Sequence, residues 1–106
     1  MERFSWATLP TEQLTPLITR QVVHTADLTM LRSSFKKGAS VPEHHHVHAQ
    51  LTTVMVGRLR IDMAEGSATL GPGEILRVES GVPHSAEALE DTVVLDVFTP
   101  ARTDWQ

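Results

Sequence analysis

Residues 38–57 read GASVPEHHHVHAQLTTVMVG. Within them, His44, His45, His46 and His48 crowd four of the chain's six histidines into HHHVHAQ, residues 44–50. Side chains of an extended chain alternate between two faces, so positions of equal parity share one. His44, His46, His48 and Gln50 are all even and point to one side, with His45 on the other. Imidazole nitrogens are good ligands for Zn, Mn, Fe, Ni or Cu. Two imidazoles two residues apart, with a further polar donor along the chain, can converge on one cation. Another ligand has to come from a strand paired nearby, and His84, just after the turn SGVP (80–83), is the candidate. The competing reading is a solvated loop of histidines with no common centre.

The surrounding sequence favours strands. Short apolar-alternating runs recur from Val22 onward, separated by turn residues. They are LTMLRSSF (28–35), QLTTVMV (50–56), RLRIDM (58–63), SATL (67–70), EILRVE (74–79), the weaker SAEALE (85–90) and TVVLDVFT (92–99). No stretch carries a capped stripe of helical period. Many short strands with Gly and Pro turns predict an all-β sandwich or barrel. Residues 1–21, with Pro10 and Pro16, read as an N-terminal surface arm with at most a short strand, tacked on by Phe4, Trp6 or Leu17. Residues 22–106 then form the barrel and its C-terminal tail.

Composition narrows the function. The 106 residues suit one domain, which can bury a core without staples. There is no cysteine, so disulfides and thiolate metal sites are excluded, and a reducing, cytoplasmic location is expected. No apolar run is long enough for a membrane span, and the N-terminus lacks a signal pattern. Net charge is −4 without a basic block, which argues against nucleic acid as a partner.

The 38–57 stretch resembles the first cupin motif, in which a glycine, a His-x-His pair, a further ligand and a second glycine recur at fixed spacing. Gly38, His44, His46, Gln50 and Gly57 fall at those positions. GEILRVESGVPHSAEA (73–88) resembles the second motif through Gly73, Gly81 and His84, with Glu79 at the usual proline and Ala88 at the usual asparagine. The resemblance implies a single-domain cupin (RmlC-like jelly-roll) β-barrel around one divalent metal ion, Zn, Mn, Fe or Ni, and a homodimer. Carried over by position, the ligands are His44, His46, Gln50 and His84. Most cupins have glutamate where Gln50 stands. A neutral carbonyl donor leaves a divalent ion its full formal charge, which favours Lewis-acid chemistry over oxygenase chemistry. His48 is open to three readings: it lines the cavity, supports a ligand, or replaces Gln50.

Within the cupins, the chain is similar to small KdgF-type proteins of uronate breakdown. The similarity lies in the H-x-H-x-H-x-Q run, in VPH (82–84) and in LDVFTPARTDW (95–105). That family helps convert a 4,5-unsaturated uronate to its linear ketone, and its working groups correspond here to Asp96, Phe98 and Arg102. The residues themselves speak to part of this. Val94, Asp96 and Phe98 share one face of an otherwise apolar strand, where a carboxylate is costly unless paired. Asp96 is therefore a structural partner at the barrel mouth or a catalytic group with a tuned pKa. Phe98 is core or, by the resemblance, a wall of the substrate site. Arg102 is a solvated tail residue or a guanidinium fork for a substrate carboxylate. Arg58, Arg60 and Arg77 face solvent by alternation, Glu43 and Glu87 are candidates to support the ligands, and Trp6 and Trp105 pack at the ends. The implied partner is a small acidic molecule. Two other classes remain: a metal-dependent dioxygenase acting on a diketone or aromatic alcohol, and a module that binds a small acid without turnover.

Overall fold

The computed structural model describes residues 1–103, so Trp105 lies outside the described residues. Ten strands follow in order: β1 (Glu12–Thr15), β2 (Ile18–His24), β3 (Thr29–Phe35), β4 (Ser40–His44), β5 (Ala49–Val56), β6 (Leu59–Met63), β7 (Gly66–Leu70), β8 (Ile75–Val78), β9 (His84–Ala88) and β10 (Thr92–Thr99). Six of them form one sheet, ordered β1-β2-β3-β10-β5-β8, and four form the other, ordered β4-β9-β6-β7. Each strand pair is antiparallel. The architecture is the expected all-β jelly roll. Among the described residues no helix is long and apolar enough to cross a membrane.

Register decides what faces the interior. In β3, Thr29, Leu31, Ser33 and Phe35 are buried while their odd-man neighbours Met30, Arg32 and Ser34 are half-exposed. The pairing of β10 sets Val94 between Ser33 and Val54, Asp96 between Leu31 and Thr52, and Phe98 between Thr29 and Gln50. On the smaller sheet, Leu59 and Ile61 lie opposite Ala88 and Ala86, and Met63 opposite His84. One end of the interior is therefore apolar, filled by Ile18, Phe35, Val54, Leu59, Ile61, Leu70 and Val94. Burial of these side chains drives the two sheets together. The other end carries the polar row.

Two expectations change. Both β1 and the first half of β2 fall inside residues 1–21, so a boundary at 22 would cut a strand. Ile18 to His24 pair along the whole of β3, and Gln21 is buried. The signal was weak because β1 is an exposed edge strand and Pro16 sits in its tight turn. Residues 1–10 do lie on the surface. The Gln21 amide donates to the Trp6 carbonyl at 2.6 Å and the Leu9 carbonyl at 3.1 Å, and the Arg32 guanidinium carbon lies 5.8 Å from the centre of the Trp6 ring. The second change concerns HHHVHAQ, which is not one extended strand. It spans the end of β4, a bend and the start of β5, because here the chain leaves one sheet for the other. Arg58 and Arg77 are exposed, and Arg60, half-exposed, contacts Asp62 at 3.4 Å and Glu87 at 3.3 Å.

Gly57, at the β5–β6 turn, has φ +93°, and a Cβ there would lie 2.3 Å from the Asp91 carbonyl oxygen and 2.4 Å from Thr92 Oγ1. The position therefore excludes a side chain on two grounds. Gly57→Ala is expected to lower the unfolding free energy by about 2–4 kcal/mol, read by urea denaturation. A loss of only a few tenths would mean that the turn relaxes freely.

Candidate metal centre

His44 closes β4 and His84 opens β9, and the two stand directly opposite each other in that pairing. His46 follows on the bend. Ligand atoms of His44, His46 and His84 lie within 4.8 Å of one another. The even positions of the histidine run turn inward although the strand is interrupted: His48 and Gln50 are buried, whereas His45 and Val47 are exposed.

Each of the three imidazoles is oriented by a backbone carbonyl. His44 Nδ1 lies 2.9 Å from the Pro42 oxygen, His46 Nδ1 2.9 Å from the His48 oxygen, and His84 Nδ1 2.8 Å from the Val82 oxygen. A carbonyl only accepts, so each Nδ1 carries the proton and each Nε2 keeps its lone pair. Backbone-oriented imidazoles of this kind are the usual support of a metal site. Burial pushes the His46 and His84 pKa values down, and nearby Arg102 adds to the effect at both. They stay neutral, which is the form that ligates. His46 Nε2 and Gln50 Oε1 are buried without a hydrogen-bond partner among the described residues. Two orphaned acceptors at a cluster of three imidazoles fit a divalent cation.

Gln50 is fixed by its other end. Its Nε2 donates to Thr52 Oγ1 at 2.8 Å, and the Thr52 hydroxyl donates in turn to Asp96 Oδ1. The amide oxygen is thereby left as the unpartnered acceptor. His48 lies outside the three-histidine group. Its ring centre is 5.5 Å from that of His46 and 6.5 Å from that of Phe98, so it packs behind them.

Asp96 sits in the middle of the inner face of β10. Burial pushes its carboxyl up to about 6, against the Thr52 hydrogen bond and Arg102, which both pull it down. The Arg102 backbone N–H donates to Thr29 Oγ1 at 2.8 Å, which returns the tail to the barrel. That arginine is only 7% exposed, and its guanidinium carbon lies 4.9 Å from the Phe98 ring centre. His44, Gln50, His84, Asp96, Phe98 and Arg102 line one cavity of about 350 Å³. Glu43 is exposed and Glu87 is turned to Arg60, so neither lines that cavity.

Three participants escaped the sequence reading. Thr52 shares parity with Gln50 and was legible on that ground alone. Thr29, at 0% exposure, and Arg20, on the cavity wall, depend on strand pairing that the sequence does not display.

With two sheets of this topology and three convergent histidines, the molecule has the build of a metal-binding jelly-roll protein. A cupin domain profile matches residues 31–98, and the chain belongs to the cupin family. It is similar over its whole length to KdgF from Halomonas sp., with 29% identity, a TM-score of 0.93 and 99% of that chain covered. An RmlC-like cupin from Shewanella frigidimarina NCIMB 400 has 27% identity and a TM-score of 0.91, with 100% of this chain and 97% of the other covered. Oxalate decarboxylase from Lactobacillus farciminis has 25% identity and a TM-score of 0.80, over 92% of this chain and 32% of that one. No curated protein matches by sequence.

The centre predicts a measurable gain on loading. Saturating Zn²⁺ should raise the unfolding temperature of the native chain, as any ligand of the folded state does. His46→Ala should abolish that shift and the retained ion found by elemental analysis. An unchanged unfolding temperature with no ion retained would remove the site.

Proposed function

We propose that the chain performs a metal-assisted, redox-neutral conversion of a small sugar acid, the ring opening and isomerisation of a 4,5-unsaturated uronate. The observation that carries this reading is Asp96, a carboxyl poised near neutrality in the wall of the cavity that His44, His84 and Arg102 also line. Full-length similarity to Halomonas KdgF supports it. Opening the ring takes a proton from the hemiacetal hydroxyl, breaks the bond from that carbon to the ring oxygen, and leaves an aldehyde and an enolate. The enolate becomes the ketone when the same proton is returned to C4. No electrons are exchanged, so no organic cofactor is needed. One carboxyl that accepts a proton and returns it serves both stages, and a pKa near 6 suits both directions. Arg102 holds the substrate carboxylate and Phe98 walls the ring. His44, His46, His84 and Gln50 would hold a divalent ion, which would supply Lewis acidity undiminished by any anionic protein ligand.

Copies of the chain pair through the outer face of the larger sheet in this reading. Leu51, Met55 and Ile75 are 49%, 51% and 64% exposed there, while residues 1–10 reach only the β2–β3 half. Exposed apolar side chains grouped on one sheet face suit an interaction surface. Ile75→Glu should convert a dimer to a monomer in sedimentation velocity, and a native chain that sediments as a monomer would end this part of the reading.

Turnover is followed as loss of the conjugated-acid ultraviolet band of an unsaturated uronate. Asp96→Asn should lower kcat by at least about 100-fold with the bound metal retained. In the native protein kcat should fall as pH drops below about 6, because the base form of Asp96 is lost. Metal content at each pH separates this from protonation of the histidines. Native turnover in Asp96→Asn would take the residue out of the reaction. Oxygen uptake with a diketone would place the chain among the dioxygenases instead.

A further inference from the structure

We infer that Thr52 is the positioning residue that decides which end of the Gln50 amide is left free for the cavity, and so sets how tightly the centre holds a divalent cation. The inference rests on the metal centre described above and is independent of the proposed reaction. Thr52 is 2% exposed and stands two residues beyond Gln50 on β5, on the same inner face. Across the sheet it lies opposite Asp96 of β10 on one side and Leu76 of β8 on the other. Gln50 lies between Phe98 and Val78, whose side chains hold no hydrogen-bonding group. Its amide turns instead along its own strand to Thr52, to which Nε2 donates at 2.8 Å.

One proton settles the direction. The Thr52 hydroxyl donates to Asp96 Oδ1. Toward Gln50 it can therefore only accept, and its lone pair takes an N–H rather than a carbonyl oxygen. Nε2 is thereby used, and Oε1 is the end that remains, buried and without a partner among the described residues. Gln50 lines the cavity together with His44 and His84. A carbonyl oxygen offered there is a ligand for a divalent ion, whereas the reversed amide would offer N–H donors and repel it. The torsion that carries an amide is broad and two-fold, so nothing in the glutamine itself chooses between its two ends. The choice is made by the hydroxyl. Loss of a group that orients a ligand commonly costs about 10- to 100-fold in metal affinity.

The test is the zinc affinity of the full chain, measured by competition with a chromophoric chelator at about pH 8, where the Asp96 carboxyl is ionised. Thr52→Val keeps the shape of the side chain, removes the hydroxyl, and should raise the zinc Kd roughly tenfold. Thr52→Ser keeps a hydroxyl and should stay within about threefold of the native value. Thr52→Ala carries the same expectation as Thr52→Val and decides the matter if Thr52→Val does not fold. Because the effect passes through the amide, it should shrink to less than about twofold when Gln50→Ala is already present. Native affinity in Thr52→Val would overturn the inference. So would an undiminished loss in the Gln50→Ala background, or a Thr52→Ser chain as weak as Thr52→Val, since the threonine would then act through the packing of the barrel. A native chain that holds no zinc would remove the inference together with the metal centre. Zinc binding of the expected pattern in a chain that leaves unsaturated uronates untouched would overturn the proposed reaction alone.

Discussion

The antiparallel pairing of β4 with β9, with His44 facing His84, is the contact on which the rest of the site depends. It joins residues forty positions apart in sequence and fixes which end of the interior is polar. A slip of one residue would turn His84 to the outer surface and bring Ser85 inward. Apolar neighbours hold the register. Val41 opposite Ala86 and Ile61 opposite Ala86 bury only in the observed alignment. The packing that stabilises the barrel is thus the same packing that gathers the imidazoles.

The charge balance of the interior follows. Gln50 contributes an oxygen without a charge, and burial holds the His46 and His84 pKa values down. The acidic group of the cavity wall is Asp96, and it is linked to Gln50 through the Thr52 hydroxyl. A change at either end of that three-residue chain is felt at the other, because Thr52 has one proton to donate and gives it to the carboxyl. Position 50 therefore bears on Asp96 as well as on the cluster of imidazoles. With a carboxylate there, two acidic groups would flank the threonine, and the rise in the Asp96 pKa would be larger still.

Much of this was legible in the sequence because a strand has a period of two. Parity alone put His44, His46, His48 and Gln50 on the interior side and His45 outside, and it held even where the strand broke. Asp96 and Phe98 were readable in the same way. The cupin resemblance paired 44 and 46 with 84, which parity cannot do. The unreadable parts share one cause. The bend at 45–48, the strand within residues 1–21 and the inward turn of Arg20 are set by which strands become neighbours. That is a property of distant sequence, and Pro16 and an exposed EQLT segment leave little local trace of it. Thr29 looked like the start of a strand, and only the returning tail shows what its hydroxyl is for.

The β1–β2 hairpin sits at the margin of the larger sheet, paired within it to β3, yet Leu14, Thr15, Ile18 and Arg20 form part of the cavity lining. The imidazoles and Asp96 come from other strands entirely. Selection can accordingly redraw the rim by altering a short marginal segment while the imidazoles and Asp96 stay as they are. A lineage built this way has the means to change what its cavity admits without disturbing the polar end of the barrel.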